Sequence, residues 1–377
     1  MIRARKTVER VEEYVPMPEG RLGLIRLDLN ENTVGCPAGL VRAMRRVITP
    51  EWCAVYPEYE KSHETLARYF GVSPAELMMT NGVDDAIMLI CDTFVDPGDA
   101  LVIPSPTFSI YQFFHEVRGG ITRAVNYDRN VRLPLDKLIS AGRRARWMAL
   151  ANPNNPTGTL VPPEDLKTLL EALPETLVLV DEAYFDFSGV TILPWIRRYP
   201  NLIVSRTFSK AFGLAALRIG LLFANKKLMS LMRRIHAVYA VNGLAAACAA
   251  ESVHYDQVMR RVAATVCRNR ELFYRDLERF KIPYAPSSAN FVLTRVGPLA
   301  HEVATRLRKQ GILARSWSNE PRLTQCLRIT IGSAPQMRRL TDALARLQHL
   351  IKPDRPIRPV KPQDAPAVAG TLGGWFL

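Results

Sequence analysis

Short, uninterrupted apolar runs recur through the first two thirds of the chain, and each is followed by polar or glycine-containing sequence and then by apolar positions at helical spacing. The runs at residues 100–104, 147–151, 177–180, 202–205 and 219–223 do not alternate with polar residues, which is the pattern of strands covered on both faces. Strands alternating with helices in this way predict an α/β chain with a mostly parallel central sheet flanked by helices. In such sheets ligands lie beyond the carboxyl ends of the strands. From Met229 to about Phe280 the pattern becomes long and helical. A strand over 290–294, a helix over 299–310, a second strand over 326–331 and a last helix to about Ile351 then predict a smaller α+β lobe. Five prolines and three glycines from Pro353 onward, with little periodicity, predict a disordered tail. No internal repeat is present.

Composition narrows the class. A length of 377 residues suits two domains, or one large core with a smaller lobe, at roughly 100–200 residues per domain. Hydrophobic residues at 48% and charged residues at 23% describe an ordinary globular chain. The longest apolar stretches fall well short of the ~20 residues that span a bilayer, and no apolar core of a signal peptide follows Met1, so a cytoplasmic protein without a membrane segment is expected. Six scattered cysteines without a C-x-x-C pair and six histidines without ligand spacing predict neither a disulfide framework nor a metal site. The net charge of +14 raises the question of nucleic acid, but the basic residues are spread along amphipathic segments in clusters no longer than Arg143-Arg144 or Arg338-Arg339. A solvated basic surface that attracts anionic metabolites fits this distribution better.

The chemistry-bearing residues sit at strand exits. Val178-Leu179-Val180-Asp181-Glu182-Ala183-Tyr184 delivers a carboxylate and, three residues on, a phenol. Alone this would be a capped strand end. Further along, Arg206-Thr207-Phe208-Ser209-Lys210 places two hydroxyls and an amine beyond another strand, with Arg218 following. The apolar Phe208, Ala211 and Phe212 around Lys210 are a setting that lowers an ammonium pKa and suits the amine to Schiff-base chemistry. Upstream, Asn152-Pro153-Asn154-Asn155-Pro156-Thr157-Gly158 leaves the strand at 147–151, and Thr80-Asn81-Gly82-Val83-Asp84-Asp85 opens a helix whose first N–H groups can take a phosphate. Phe108, after Pro106-Thr107, offers an aromatic face; on its own it would be core.

In this order, Asn155 in N-P-T-G, Asp181 and Tyr184 in D-E-A-Y, then S-K with Arg218 eight residues on, the chain resembles the fold-type-I, pyridoxal-phosphate-dependent aminotransferases. Within them Leu29-Asn30-Glu31-Asn32, Tyr56-Pro57-Glu58, Arg206 to Leu214 and Cys326-Leu327-Arg328-Ile329-Thr330-Ile331-Gly332 are similar to the histidinol-phosphate aminotransferase branch, and the resemblance runs from about Tyr14 to Leu350. It implies an N-terminal arm (1–35) joining a small domain (246–352), a large cofactor-binding domain (36–245) and the tail (353–377). It implies that Lys210 binds the cofactor aldehyde and carries the proton, that Asp181 pairs with the pyridine nitrogen, and that Tyr184 and Asn155 bond the ring's phenolic oxygen.

Phe108 would stack on the ring where the branch more often has tyrosine. Arg218, Ser209 and Thr207, with backbone N–H groups at Val83 and Asp84, would hold the cofactor phosphate, and Tyr56 would reach it from the partner of a homodimer with shared sites. Arg328 would grip a substrate carboxylate, which supports glutamate and 2-oxoglutarate as one substrate pair. Tyr14, Asn32 and Arg339 would lie toward the phosphate end of histidinol phosphate. Around them Thr33-Val34-Gly35-Cys36-Pro37 and Asp85 depart from the branch's pattern, which leaves threonine-phosphate decarboxylation and aromatic amino acid transamination open as alternatives. A cofactor-binding regulator of nucleic acid would need a further DNA-binding module, and none is evident before Tyr14 or after Ile351.

Overall fold

The computed structural model describes residues 2–11, 19–128 and 131–354. Among them twelve strands run in the order β1 (Ile25–Leu27), β2 (Leu77–Thr80), β3 (Ala100–Ser105), β4 (Ile121–Asn126), β5 (Trp147–Ala151), β6 (Leu177–Asp181), β7 (Leu202–Thr207), β8 (Gly220–Ala224), β9 (Tyr284–Ala285), β10 (Phe291–Arg295), β11 (Ile312–Ala314) and β12 (Cys326–Thr330). Seven form the main sheet in the order β2-β8-β7-β6-β5-β3-β4. The pairs β4–β3, β3–β5, β5–β6 and β6–β7 are parallel, whereas β8 is antiparallel to both β7 and β2.

Continuous apolar runs become central strands here because each has a core on either side. Met148 and Leu150 of β5, Val178 and Val180 of β6, and Val204 of β7 face one hydrophobic layer. Trp147, Ala149, Leu177, Leu179 and Ile203 face the other, under the helix Gly82–Phe94. With both faces apolar, every residue of β5 and β6 and all of β7 but Thr207 is buried, so no alternation appears in the sequence.

The second lobe is built on the antiparallel β12-β10-β9 sheet, packed with Val303 and Leu307 of the helix Ala300–Lys309 and with Met337 and Leu340 of Ala334–Arg346. The helix Asp256–Arg279 belongs to both cores: Met259 and Ala263 pack with the main sheet, Phe273 and Leu277 with the second lobe. The expected long helical stretch is interrupted. Helices end at Arg233 and restart at Gly243, where the Asn242 side chain accepts from the Ala245 N–H at 2.8 Å and caps the new helix. β1, β2, β4, β9 and β11 add strands beyond those expected, and β1 joins the second lobe by pairing in parallel with β11. The described part of the tail, Pro353 and Asp354, is held by ion pairing of Asp354 with Arg295 at 2.8 Å; the remainder lies outside the described residues. Among the described residues no helix is long and apolar enough to cross a membrane.

Candidate active site

The parallel strands end together, and their exits converge. β7 finishes at Thr207, and the chain turns through Phe208 and Ser209, both buried, to Lys210. The Lys210 ammonium donates to the Leu29 carbonyl at 3.1 Å and lies 5.8 Å from the centroid of the Tyr184 ring. Burial, then the positive charge of Arg328, pull the amine down from 10.5 to about 8, with Glu31 and Asp84 opposing. This is an amine with a substantial neutral fraction near neutrality.

Asp181 closes β6 and is 4% exposed. The Tyr111 phenol donates to Oδ2 at 2.6 Å, and the Ser205 hydroxyl and Ala183 N–H donate to Oδ1 at 2.8 and 3.2 Å. Burial pushes the carboxyl above its ordinary range while these three donors pull it back. Tyr111 and Ser205 were not among the residues singled out from sequence. Tyr111 lies three residues beyond Phe108 on the helix Ile110–Val117, which the sequence reading did not single out, and Ser205 falls inside the apolar strand run at 202–205.

An anion cradle forms where the helix Gly82–Phe94 begins. Gly82 has φ +82°, and a Cβ on it would lie 2.6 Å from Arg218 Nη2. The guanidinium thus roofs the helix start, held by the Asp84 carboxylate at 3.1 Å, and Arg218 itself adopts φ 54°. Thr207 stands beside it, its hydroxyl accepting from the Ser209 N–H at 3.1 Å. Helix-start N–H groups, a guanidinium and the Thr207 hydroxyl together suit a phosphate.

A fourth group joins the lobes. Arg328 of β12 donates from Nη1 to Asn155 Oδ1 at 2.5 Å and from Nη2 to the Asp28 carbonyl at 2.6 Å. Phe291 and Trp317 lie 5.5 and 5.9 Å from its guanidinium carbon. The Tyr184 phenol accepts from Asn30 Nδ2 at 2.9 Å, and Asn30, with φ 57°, is tied in turn to Thr330 and Asn290. Burial raises the Tyr184 phenol, with Arg328 and Asn30 opposing. Asn30 is thus a link that sequence reasoning passed over as part of a motif.

The structure brings Lys210, Asp181, Tyr184, Asn155 and Arg328 into one network of contacts and charges. Val83 and Asp84 open the helix under Arg218, and Phe108 meets Tyr111 edge-on, with ring centroids 5.6 Å apart. Asn32 donates to the Ala211 carbonyl at 2.8 Å and lines, with Lys210, a cleft of about 260 Å³ between the lobes. Tyr56 does not reach this site within the chain: it is 74% exposed and stacks on Tyr239 at 4.5 Å. Arg339 is exposed on the helix Ala334–Arg346, and Tyr14 lies outside the described residues. No group of three or more His, Cys, Asp or Glu that could hold a metal ion occurs among the described residues.

A mostly parallel sheet whose exits carry a buried acid, a depressed lysine and an anion cradle defines a class of protein that handles a phosphorylated, nitrogen-containing cofactor. Residues 23–344 match the family described as aminotransferase class I and II, and the chain belongs to that family. It is a pyridoxal-phosphate-dependent aminotransferase acting on small molecules, with the fold-type-I architecture. It is 35% identical over 327 residues to the histidinol-phosphate aminotransferase of Caldanaerobacter subterraneus subsp. tengcongensis, covering 85% of this chain and 92% of that one. The crystal structure of histidinol-phosphate aminotransferase from Sinorhizobium meliloti, in complex with pyridoxal-5′-phosphate, superposes with a TM-score of 0.85 at 25% identity, covering 93% of this chain and 99% of the other. L-threonine-O-3-phosphate decarboxylase from Porphyromonas gingivalis superposes with a TM-score of 0.77 at 25% identity, over 86% and 100%.

Proposed function

We propose that the chain is a histidinol-phosphate transaminase, converting L-histidinol phosphate and 2-oxoglutarate into imidazole acetol phosphate and glutamate. The observation that carries the reading is similarity along nearly the whole chain to proteins of that name, joined to a fixed Arg328 fork suited to the carboxylate of glutamate or 2-oxoglutarate. When bound, pyridoxal phosphate supplies an aldehyde for the amino group and a ring that takes up the electron pair released at the substrate carbon. The residues fit it. Arg218, Thr207, Ser209 and the N–H groups of Val83 and Asp84 hold its phosphate; Asp181 keeps a proton at its ring nitrogen; Phe108 covers a face; Tyr184 and Asn155 bond its phenolic oxygen.

Lys210, at about 8, can hold or release a proton near neutrality and moves it at the substrate Cα. Arg328 orients the substrate carboxylate, while Asn32, Tyr14 and Arg339 serve the donor's phosphate end. Residues 36–245 form the cofactor-binding domain, 246–352 the small domain and 1–35 the arm that joins it. The assembly is a homodimer in which Tyr56 reaches the partner's cofactor phosphate. The exposed Val55, Tyr56, Val238 and Tyr239, an apolar surface unusual for a monomer, support that reading.

The test is single turnover of the loaded enzyme with histidinol phosphate, phenylalanine and threonine phosphate, read by loss of cofactor absorbance. Histidinol phosphate should give the highest specificity constant, with 2-oxoglutarate reversing the change by taking the amino group back off the cofactor and leaving as glutamate. Carbon dioxide release from threonine phosphate, or preference for phenylalanine, would overturn the assignment; the superposition on a threonine-phosphate decarboxylase makes the former the sharper rival.

A further inference from the structure

We propose that Tyr111 and Ser205 are positioning residues for Asp181, holding its carboxylate in one orientation, with one hydroxyl on each oxygen, toward the ring nitrogen of the cofactor. The inference rests on the reading of Asp181 given above and adds the residues that make it work.

Backbone register supplies one of the two contacts. Asp181 and Ser205 are Cα partners on the parallel strands β6 and β7, so their side chains leave the sheet on the same side, and the Ser205 hydroxyl meets Oδ1 at 2.8 Å. Tyr111 comes from a different element, the helix Ile110–Val117, and is fully buried with its phenol on Oδ2 at 2.6 Å. The Ala183 N–H completes the set on Oδ1. Each of these three contacts donates a hydrogen bond to the carboxylate. These three donors stabilise a carboxylate anion against the burial that raises it. In a site that otherwise penalises charge, these bonds keep Asp181 able to accept an N–H from the ring, and they fix the plane in which it does so.

Tyr111 has a second duty. Its ring stands edge-on to Phe108 at 5.6 Å and 87°, so the residue that anchors the acid also braces the aromatic face above it. One side chain thereby couples two contacts to the same cofactor ring. Removing only the phenolic oxygen separates them, since phenylalanine keeps the bracing ring.

The experiment compares wild type, Tyr111→Phe, Ser205→Ala and Asp181→Asn, each loaded with pyridoxal phosphate carrying ¹⁵N in the ring. Ring-nitrogen chemical shift against pH, cofactor release into a trapping apoprotein, and steady-state kinetics are recorded beside circular dichroism. Tyr111→Phe should lower the pH at which the nitrogen loses its proton by about one unit and speed cofactor release about tenfold; kcat should fall about tenfold with KM nearly unchanged. Ser205→Ala should move each readout in the same direction. A purely structural role would lower the unfolding temperature and leave the nitrogen signal in place. If Tyr111→Phe fails to fold, Ser205→Ala decides. An Asp181→Asn protein with an unmoved nitrogen signal would sink the reading of Asp181 itself. A moved signal there, with Tyr111→Phe and Ser205→Ala both like wild type, would overturn only the inference drawn here.

Discussion

Replacing Lys210 by methionine in cofactor-free protein turns the buried amine into a stability measurement. The folded state holds the amine at about 8, and the unfolded chain returns it to 10.5. Between those values the unfolded state binds more protons, so stability rises with pH from about 8 to 10.5. Below that window the folded protein bears the whole cost of a buried ammonium. The difference between 10.5 and about 8, at 1.36 kcal/mol per pH unit, is about 3 kcal/mol. Methionine is of similar length and uncharged, so it removes this cost; it also gives up the bond to the Leu29 carbonyl, about 1 kcal/mol. Lys210→Met should therefore stabilise the cofactor-free protein by about 2 kcal/mol at pH 7, and the gain should vanish by about pH 10.5. Urea unfolding followed by circular dichroism at several pH values, expressed as the difference from wild type, cancels the other titrating groups. A difference independent of pH, or a variant less stable than wild type at pH 7, would refute the reasoning.

Gly82→Ala places a Cβ 2.6 Å from the Arg218 guanidinium at φ +82°, so it should cost about 1–2 kcal/mol in urea unfolding and weaken pyridoxal phosphate binding in a fluorescence titration. Arg328→Lys keeps the charge but loses the fork, so kcat/KM for glutamate and for 2-oxoglutarate should fall about 10- to 100-fold; unchanged values would place the carboxylate elsewhere. Mixing Lys210→Ala chains with Tyr56→Phe chains should restore part of the activity, since a heterodimer would contain one site free of both lesions; no recovery after verified subunit exchange would count against shared sites.

The central strands were legible because β5, β6 and β7 are apolar on both faces, and the exits that carry Asp181 and Lys210 follow directly from them. β4 was not. It is the sheet's edge, with Ile121, Arg123 and Ala124 exposed, so no apolar pattern marks it. β1 is only three residues long and acquires its meaning from a partner far along the chain. At the site, residues whose type announces chemistry stood out, whereas Tyr111 and Ser205 did not. A tyrosine on the apolar face of a helix and a serine inside a strand declare nothing until the fold shows which carboxylate they face.

The pairing of β1 with β11 sets an order of events for the growing chain. Ile25 finds Ile312 as its partner, 287 positions later, a closure costing about 5 kcal/mol of chain entropy if made from an open coil. That contact cannot form until residue 314 has been synthesised, roughly 15–60 s after initiation at about 5–20 residues per second. Asn30 can meet Asn290 only once residue 290 is made and Thr330 only once residue 330 is made, so the donor to Tyr184 is fixed last of all. The strands of the main sheet are all made by residue 224, whereas Met259 and Ala263, which cover one of its faces, come later. Translation that stops before residue 330 therefore leaves an unfinished active site, and no smaller working enzyme can be released.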